Sequence, residues 1–501
     1  MSPPRLSLLC VALAASCSSA WAGIDEVKVI TDTSIDCSSV QTMARDLYAP
    51  CKTDQDKAVA TWYFVRRVCY HWPDIPTGDP ISLVNSYGFA LCGHQSGILA
   101  QIMSAGGLKS RLAHLPAHVI AEAYYDGAWH MFDCQVGWYV LDRQGKVASC
   151  AEIKADPSIV LDARKEGRES KPFFQCSDNE KSGVGIGSSA KPGGSASPTS
   201  DRLVIRLRRG ESITRNWANE GKPWFNKENT KFTQPAHLCT RAAVDANDPV
   251  NWPYWQPYAE VTGTRPDGTP VYGLKRTYGN GRLVYEPDLT TDAFTDGLDK
   301  DGLVNIQAGH EDGGGPNLRP AAAGQDASAT FLVESAYVMT DAWLDASAVR
   351  KGEGDVLAVA IKGAGGWVEA YKADKTGELK LENVNFKEAV FGGKRYLLRF
   401  TMKAGARAGD VGVNAFQLTT VIMNNIYALP YFMPGRNIIR VTAADGADLA
   451  RNKLTLEYAW WDGQEAKGLT TTIDKLPFER TVDVQQKGVP KMKFVRLSVA
   501  R

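Results

Sequence analysis

The stretch AHVIAEAYYDGAWHMFD, residues 117–133, decides how the first part of this chain folds. Two runs of strand-forming residues flank Asp126-Gly127, a dipeptide suited to a two-residue hairpin because both loop positions need a positive φ. With those two residues as the loop, Tyr125 pairs with Ala128, and the numbers of every later pair share one sum. On that rule His118 pairs with Gln135. Side chains alternate faces along a strand, so Asp133 shares the face of His118. Diagonal neighbours of this kind lie about 7–8 Å apart, within reach for an imidazole and a carboxylate.

Just upstream, LCGHQSGILAQIMSAGG (91–107) reads as a helix with Ile98, Leu99, Ile102 and Met103 on one face and a Gly pair at its end. Cys92 falls in its first turn, where free backbone N–H groups and the helix dipole favour a thiolate. A neighbouring imidazole does the same, and a carboxylate orients that imidazole. Cys92, His118 and Asp133 therefore form a sensible nucleophile, base and orienting acid. The N–H of Cys92 is placed to support an oxyanion. His71 or Trp72 is the candidate for a second donor. Both follow the helix expected in TDQDKAVATWYFVRRVCY (53–70), where Thr53 is the N-cap, Asp56 stands three residues on, and Ala58, Trp62, Val65 and Cys69 recur at helical spacing.

The chain has 501 residues and a net charge of +1, so several domains are expected and no charge argument points to nucleic acid. Arg5, the apolar run LSLLCVALAA and the AWA before Gly23 read as a signal peptide over 1–22, hence a secreted or periplasmic protein without a membrane span. A lipid anchor at Cys17, in LAASC, is the alternative. Eight of the ten cysteines lie beyond residue 22, all in the first half. An oxidising compartment lets such cysteines pair. Cys92 is thus either a half-cystine or a thiol kept for chemistry; if it is free, Cys69 is the candidate for the second free one.

Residues 23–180 alternate helical and strand patterns and read as one α+β domain. Residues 181–202 are rich in Gly, Ser and Pro and read as a flexible linker. Residues 203–328 form a loop-rich middle region with Trp217, Trp224, Trp252 and Trp255, and GHEDGGGP (309–316) reads as an exposed loop. Residues 329–501 carry repeated short strands, among them DVLAVAIKG, RYLLRFTMKA, QLTTVIMNN and KLTLEYAWWD. Such spacing predicts a C-terminal antiparallel β-sandwich.

The longer stretch YGFALCGHQSGILAQIMSAGGLKSRLAHLPAHVIAEAYYDGAWHMFDCQVGWYVLD (87–142) resembles the core of the transglutaminase-like superfamily of papain-fold thiol enzymes. The resemblance spans roughly residues 50–145. It implies a Cys-bearing helix packed on an antiparallel sheet, with Cys92 as nucleophile, His118 as base and Asp133 as orienting acid. Gly107, Arg111, Glu122, Gly127 and Trp129 fall on framework positions. Two departures stand out: Cys134 follows Asp133 where proline is common, and His94 lies close to Cys92. The segment ALPYFMPGRNIIRV (428–441) is similar, more loosely, to accessory β-domains of exported bacterial proteins.

The family includes cross-linking transferases, peptidases and peptide N-glycanases, so the resemblance implies amide or acyl chemistry on a peptide, glycopeptide or polysaccharide substrate, with hydrolysis favoured and no cofactor needed. The alternative is a carbohydrate-binding protein whose thiol-fold domain is a scaffold and whose tryptophans stack on sugars. His114 and His130 read as structural, and Glu122 as a partner in a structural hydrogen bond or an ion pair. No zinc-ligand spacing is present.

Overall fold

The computed structural model describes residues 23–501 except 72–74, 76, 116–117, 136, 169, 171–189, 219, 221–258, 265–269, 275–277, 310–314 and 486–489. For 70–71, 259–264, 270–274 and 278 it describes backbone alone. The expected signal peptide, Trp72, Trp224, Trp252, Trp255 and most of GHEDGGGP lie outside the described residues.

The chain opens with β1 (Lys28–Thr31), α1 (Val40–Tyr48), α2 (Asp54–Val68) and the short β2 (Tyr70–His71). A helical turn, α3 (Pro80–Ser82), runs into one π-helical turn over Leu83–Tyr87, then β3 (Phe89–Ala90) and α4 (Cys92–Ala105). Next come β4 (Lys109–Leu115), β5 (His118–Tyr125), β6 (Ala128–Phe132), α5 (Cys150–Ala155), α6 (Ser158–Lys165), β7 (Lys191–Ser195) and β8 (Glu211–Asn216).

Local chemistry sets these boundaries. Ser39 with Thr42, and Thr53 with Asp56, form capping boxes that satisfy orphan N–H groups at the starts of α1 and α2. Asp126 (φ 50°) and Gly127 (φ 80°) make the two-residue turn, and pairing runs without a slip from Tyr125↔Ala128 to Ala121↔Phe132. α4 stops at Gly106, where a Cβ would lie 1.9 Å from the Tyr48 ring.

The four-stranded sheet has the order β6-β5-β4-β7. One face, through Ala121, Ala123, Tyr125 and Phe132, packs on residues of α1, α2 and α4 such as Met43, Trp62, Val65, Leu99 and Ile102. The other, through Ala113, Ile120 and Met131, packs on Ile153, Val160 and Ala163 of α5 and α6. This is an α+β layer with helices on both faces.

The stretch expected to be a flexible linker is partly built in. β7 pairs with β4, Ala196 N–H donates to Ser110 O at 3.1 Å, and Leu203 N–H donates to Ser38 O at 2.8 Å. Glycine and serine suit this edge because Gly193 lies against the His114 ring and the Leu112 carbonyl, with no space for a side chain.

From β8 onward the chain is β-rich and sandwich-like. A ten-stranded antiparallel sheet includes β8, Tyr278–Tyr285, Val411–Asn425, Leu454–Asp462 and Lys491–Val499. A five-stranded sheet holds Leu298–Val304, Asp326–Glu334, Val356–Gly363, Gly366–Lys372 and Arg395–Lys403. They share one core, in which Phe331, Phe400, Phe416 and Tyr285 meet edge to face or tilted. Strand pairing crosses the limits expected near 202 and 328: β8 lies beside Lys491–Val499, and Leu298–Val304 pairs with Asp326–Glu334. β1 likewise pairs with Gly435–Thr442, so the N-terminus completes a C-terminal sheet. Among the described residues no helix is long and apolar enough to cross a membrane.

One buried amide ties the α+β layer to the β-rich region. Asn425 Nδ2 donates to Val68 O at 2.7 Å and to Val84 O at 2.6 Å, at 0% exposure. The π-turn ends at Gly88 (φ 67°), where a Cβ would come within 2.9 Å of the Asn425 side chain. Ser86 Oγ accepts from Val338 N–H, and Arg67 stacks over Tyr431 with its centre 4.8 Å from the ring. Asn425→Ala strands two buried carbonyls, each lost bond carrying a penalty of about 1–3 kcal/mol. Urea unfolding should show a loss of about 2–6 kcal/mol; a change below about 0.5 kcal/mol would refute the assignment of Asn425 as the tie between the regions.

Candidate active site

The site lies where the start of α4 meets the start of β5. Leu91, the N-cap of α4, has no side chain able to cap, so the first-turn amides keep their donors. Gly93 sits against the Val119 side chain, its Cβ position 4.0 Å from Val119 Cγ2, and Ser96 Oγ donates to Val119 O at 2.9 Å. These contacts bring the first turn of α4 against β5.

His118 Nε2 lies 2.7 Å from Asp133 Oδ2. Asp133 is 1% exposed, and its backbone is fixed by a mutual pair of bonds with Trp138 at 2.9 Å and by Trp62 Nε1–H donating to its carbonyl at 2.9 Å. With Nε2 engaged by Asp133, the other ring nitrogen is the one left for Cys92, whose thiol is near enough for His118 to lower it. The structure thus brings Cys92, His118 and Asp133 together in that order.

Electrostatics follow from this geometry. Burial pushes the Cys92 thiol up, but the hydrogen bond and charge of His118, with the N–H groups of Val119 and Gly93, outweigh it and hold the thiol below its ordinary value. For His118, burial disfavours the imidazolium. Asp133, by charge and hydrogen bond, and then Cys92, reverse this and raise it to about 10. Both shifts favour a thiolate–imidazolium pair.

His71 lies in β2, which pairs in parallel with β3; His71 is opposite Ala90, two residues before Cys92. Its backbone therefore flanks the approach to the thiol. The imidazole that lowers the Cys92 thiol is that of His118. Cys92 and Cys134 both carry thiols. Cys134 is 1% exposed, and burial drives its thiol well up, so it is inert. The buried Cys69 is also driven up by burial.

The framework positions are occupied structurally. Arg111 Nη2 pairs with the buried Glu122 at 2.7 Å and stacks over Trp129 at 3.9 Å. His130 stacks on Tyr125 at 3.7 Å and bonds the carbonyls of Val147 and Tyr125. Trp217 packs against the β-rich core near Tyr458. Among the described residues no three His, Cys, Asp or Glu side chains gather as metal ligands.

Sequence reasoning passed over Gln95. It is fully buried, its Nε2 donates to Cys69 O at 3.0 Å, and its Oε1 has no partner. It ties the first turn of α4 to the end of α2. The available signal was a glutamine three residues after Cys92, on the side of the helix that also carries the apolar Ile98, Leu99 and Ile102.

No known family profile matches the chain, and no curated protein matches it. Two solved structures of a pilus backbone protein from Streptococcus pneumoniae align with it. One shows 12% identity over 44% of this chain and 82% of the other, the second 8% over 61% and 56%; both have a TM-score of 0.09. Likenesses this weak carry no argument about fold or function.

Two outcomes are expected. The pH midpoint of Cys92 alkylation by iodoacetamide should lie below that of an ordinary thiol in the wild type and should rise in His118→Ala, slowing the reaction on the order of tenfold at pH 6.5. An unchanged midpoint excludes His118 as the group activating the thiol. Second, His118 is raised from near 6.5 to about 10, so its contribution to stability is complete below pH 6.5 and lost as pH climbs through 10. Wild type should therefore exceed Asp133→Asn by about 1.5–3 kcal/mol near pH 6. Denaturation midpoints should converge toward pH 10; a gap independent of pH would show that the pair contributes nothing through charge.

Proposed function

We propose that this chain is a cysteine-dependent acyl-transfer enzyme of the transglutaminase-like kind, acting mainly as a hydrolase on an amide in a peptide or glycopeptide. The observation that carries the reading is the grouping of Cys92, His118 and Asp133: the imidazole is hydrogen-bonded to the buried carboxylate and lowers a thiol that stands at an uncapped helix N-terminus.

The chemistry follows from the groups. The Cys92 thiolate attacks the acyl carbon, forming a C–S bond while the carbonyl oxygen takes up negative charge. Uncapped amides at the start of α4 are suited to that oxyanion. As the C–N bond breaks, the His118 imidazolium gives its proton to the leaving amine. Water then attacks the thioester carbon and passes a proton to His118, the C–S bond breaks, and the thiolate–imidazolium pair returns. Asp133 holds the ring with Nδ1 toward sulfur and stabilises its charge throughout. An amine in place of water gives transfer. Export follows from the signal-like residues 1–22 and belongs to the same reading.

The test is substrate profiling of a complex peptide and glycopeptide mixture with wild type and Cys92→Ala. Wild type should release amines from a defined subset, and Cys92→Ala should lose at least about a thousandfold of that activity. Products formed equally by both proteins would sink the proposal.

A further inference from the structure

The strand pairing that sets the site stops short of it. The last pair between β5 and β6 is Ala121↔Phe132, one residue before Asp133 and three away from His118. His118 is still held on its other side, where it pairs with Leu115 of β4. Asp133 lies past the end of β6. Its carboxylate nonetheless meets His118 Nε2 at 2.7 Å, so its aim is set by contacts outside the β5–β6 ladder.

Two donors converge on the Asp133 carbonyl. Asp133 N–H donates to Trp138 O, and Trp138 N–H donates back to Asp133 O, both at 2.9 Å, which closes a bridge over residues 133–138. The same carbonyl oxygen accepts Nε1–H of Trp62 at 2.9 Å. A carbonyl oxygen has two lone pairs, and these two donors match them. The peptide unit cannot tilt without losing one of the bonds. The direction of the Asp133 side chain follows from that of its backbone.

Trp62 is itself held in place. It is 2% exposed in α2, edge-on to Tyr139 at 5.0 Å between ring centres, and Arg66 lies over its ring at 4.9 Å. Arg66 also lies against Gly137, where a Cβ would collide with its guanidinium. Positions 62 and 66 are i and i+4 on one helix face. α2 therefore clasps the bridge at both ends, by the indole at Asp133 and by the guanidinium at Gly137. A buried indole N–H needs an acceptor, and any nearby carbonyl would serve. Here the acceptor is the carbonyl of the residue that orients His118.

We propose that Trp62 is a positioning residue for the reaction: its indole N–H fixes the Asp133 peptide, and through it the aim of the carboxylate at His118. The inference rests on the Cys92, His118 and Asp133 reading and deepens it. Without the bond the carboxylate drifts from Nε2, the imidazolium loses support, and the Cys92 thiolate loses its partner. Misplacements well below 1 Å are enough for such an effect.

The test alkylates the full chain with iodoacetamide and follows the Cys92 adduct by peptide mass spectrometry. Trp62→Phe removes the donor. Incorporation of benzothienylalanine at position 62 removes it too, with sulfur in place of N–H and the ring shape kept, so its result does not depend on how the space left by Phe refills. At pH 6.5 both proteins should react at least about threefold more slowly than wild type. The deficit should close by pH 10, where an accessible thiol is ionised without help. In an Asp133→Asn background Trp62→Phe should add less than about 1.5-fold, because the group it acts through is already gone. A wild-type rate at pH 6.5 with the isostere, a deficit that persists at pH 10, or a slowing in Asp133→Asn as large as in wild type would each make Trp62 a packing residue and overturn the proposal. Wild-type reactivity of His118→Ala would instead remove the reading of the site, and the proposal with it.

Discussion

The two-residue turn at Asp126 and Gly127 is the constraint on which the site rests. Its positive φ values fix the register of β5 against β6, and a slip of one residue would send Asp133 to the opposite face from His118. The 2.7 Å contact between these two residues, fifteen apart in the chain, is thus a consequence of turn chemistry and not of either partner's own preference. Burial of Asp133 then strengthens what the register permits. In a low dielectric, a carboxylate supports an imidazolium far more than it does in water, and the imidazolium in turn favours the thiolate of Cys92.

The β-rich region takes part in holding this arrangement. Asn425 grips the carbonyls of Val68 and Val84, the residues from which the chain leads into β2 and toward β3. β2 and β3 pair with each other, and β3 delivers the chain to Cys92 within two residues. Gln95 closes the circuit from the other side by binding Cys69 O. The thiol-bearing turn is therefore braced by groups that include one more than three hundred residues away in sequence.

Local features of this fold were legible because local chemistry encodes them. The capping box at Thr53, the Asp126-Gly127 turn, the helix from Cys92 and most C-terminal strands follow from short-range patterns, and the face shared by His118 and Asp133 follows from the period of a strand. The illegible parts depend on distant partners. Nothing within KPGGS announces an edge strand, since its glycines fit there only because His114 and Leu112 crowd them. Asn425 sits in QLTTVIMNN like any polar residue ending a strand, and only the assembled structure shows it between two carbonyls. Nor does ESITRN reveal that Arg215 is buried, because the pattern of a two-sided strand does not say which side meets charge. Part of the Trp-rich stretch joins the C-terminal sheets for the same reason: sheet membership is a matter of pairing, not of composition.

The pairing of β1 with Gly435–Thr442 also has a temporal meaning. During synthesis β1 emerges some four hundred residues before its neighbour exists. Until then it is an unpaired edge, open to wrong partners, and its closure carries the loop entropy of some four hundred intervening residues. Pairing over so long a separation forms late in folding, so β1 works as a latch that sets only after Gly435–Thr442 is in place.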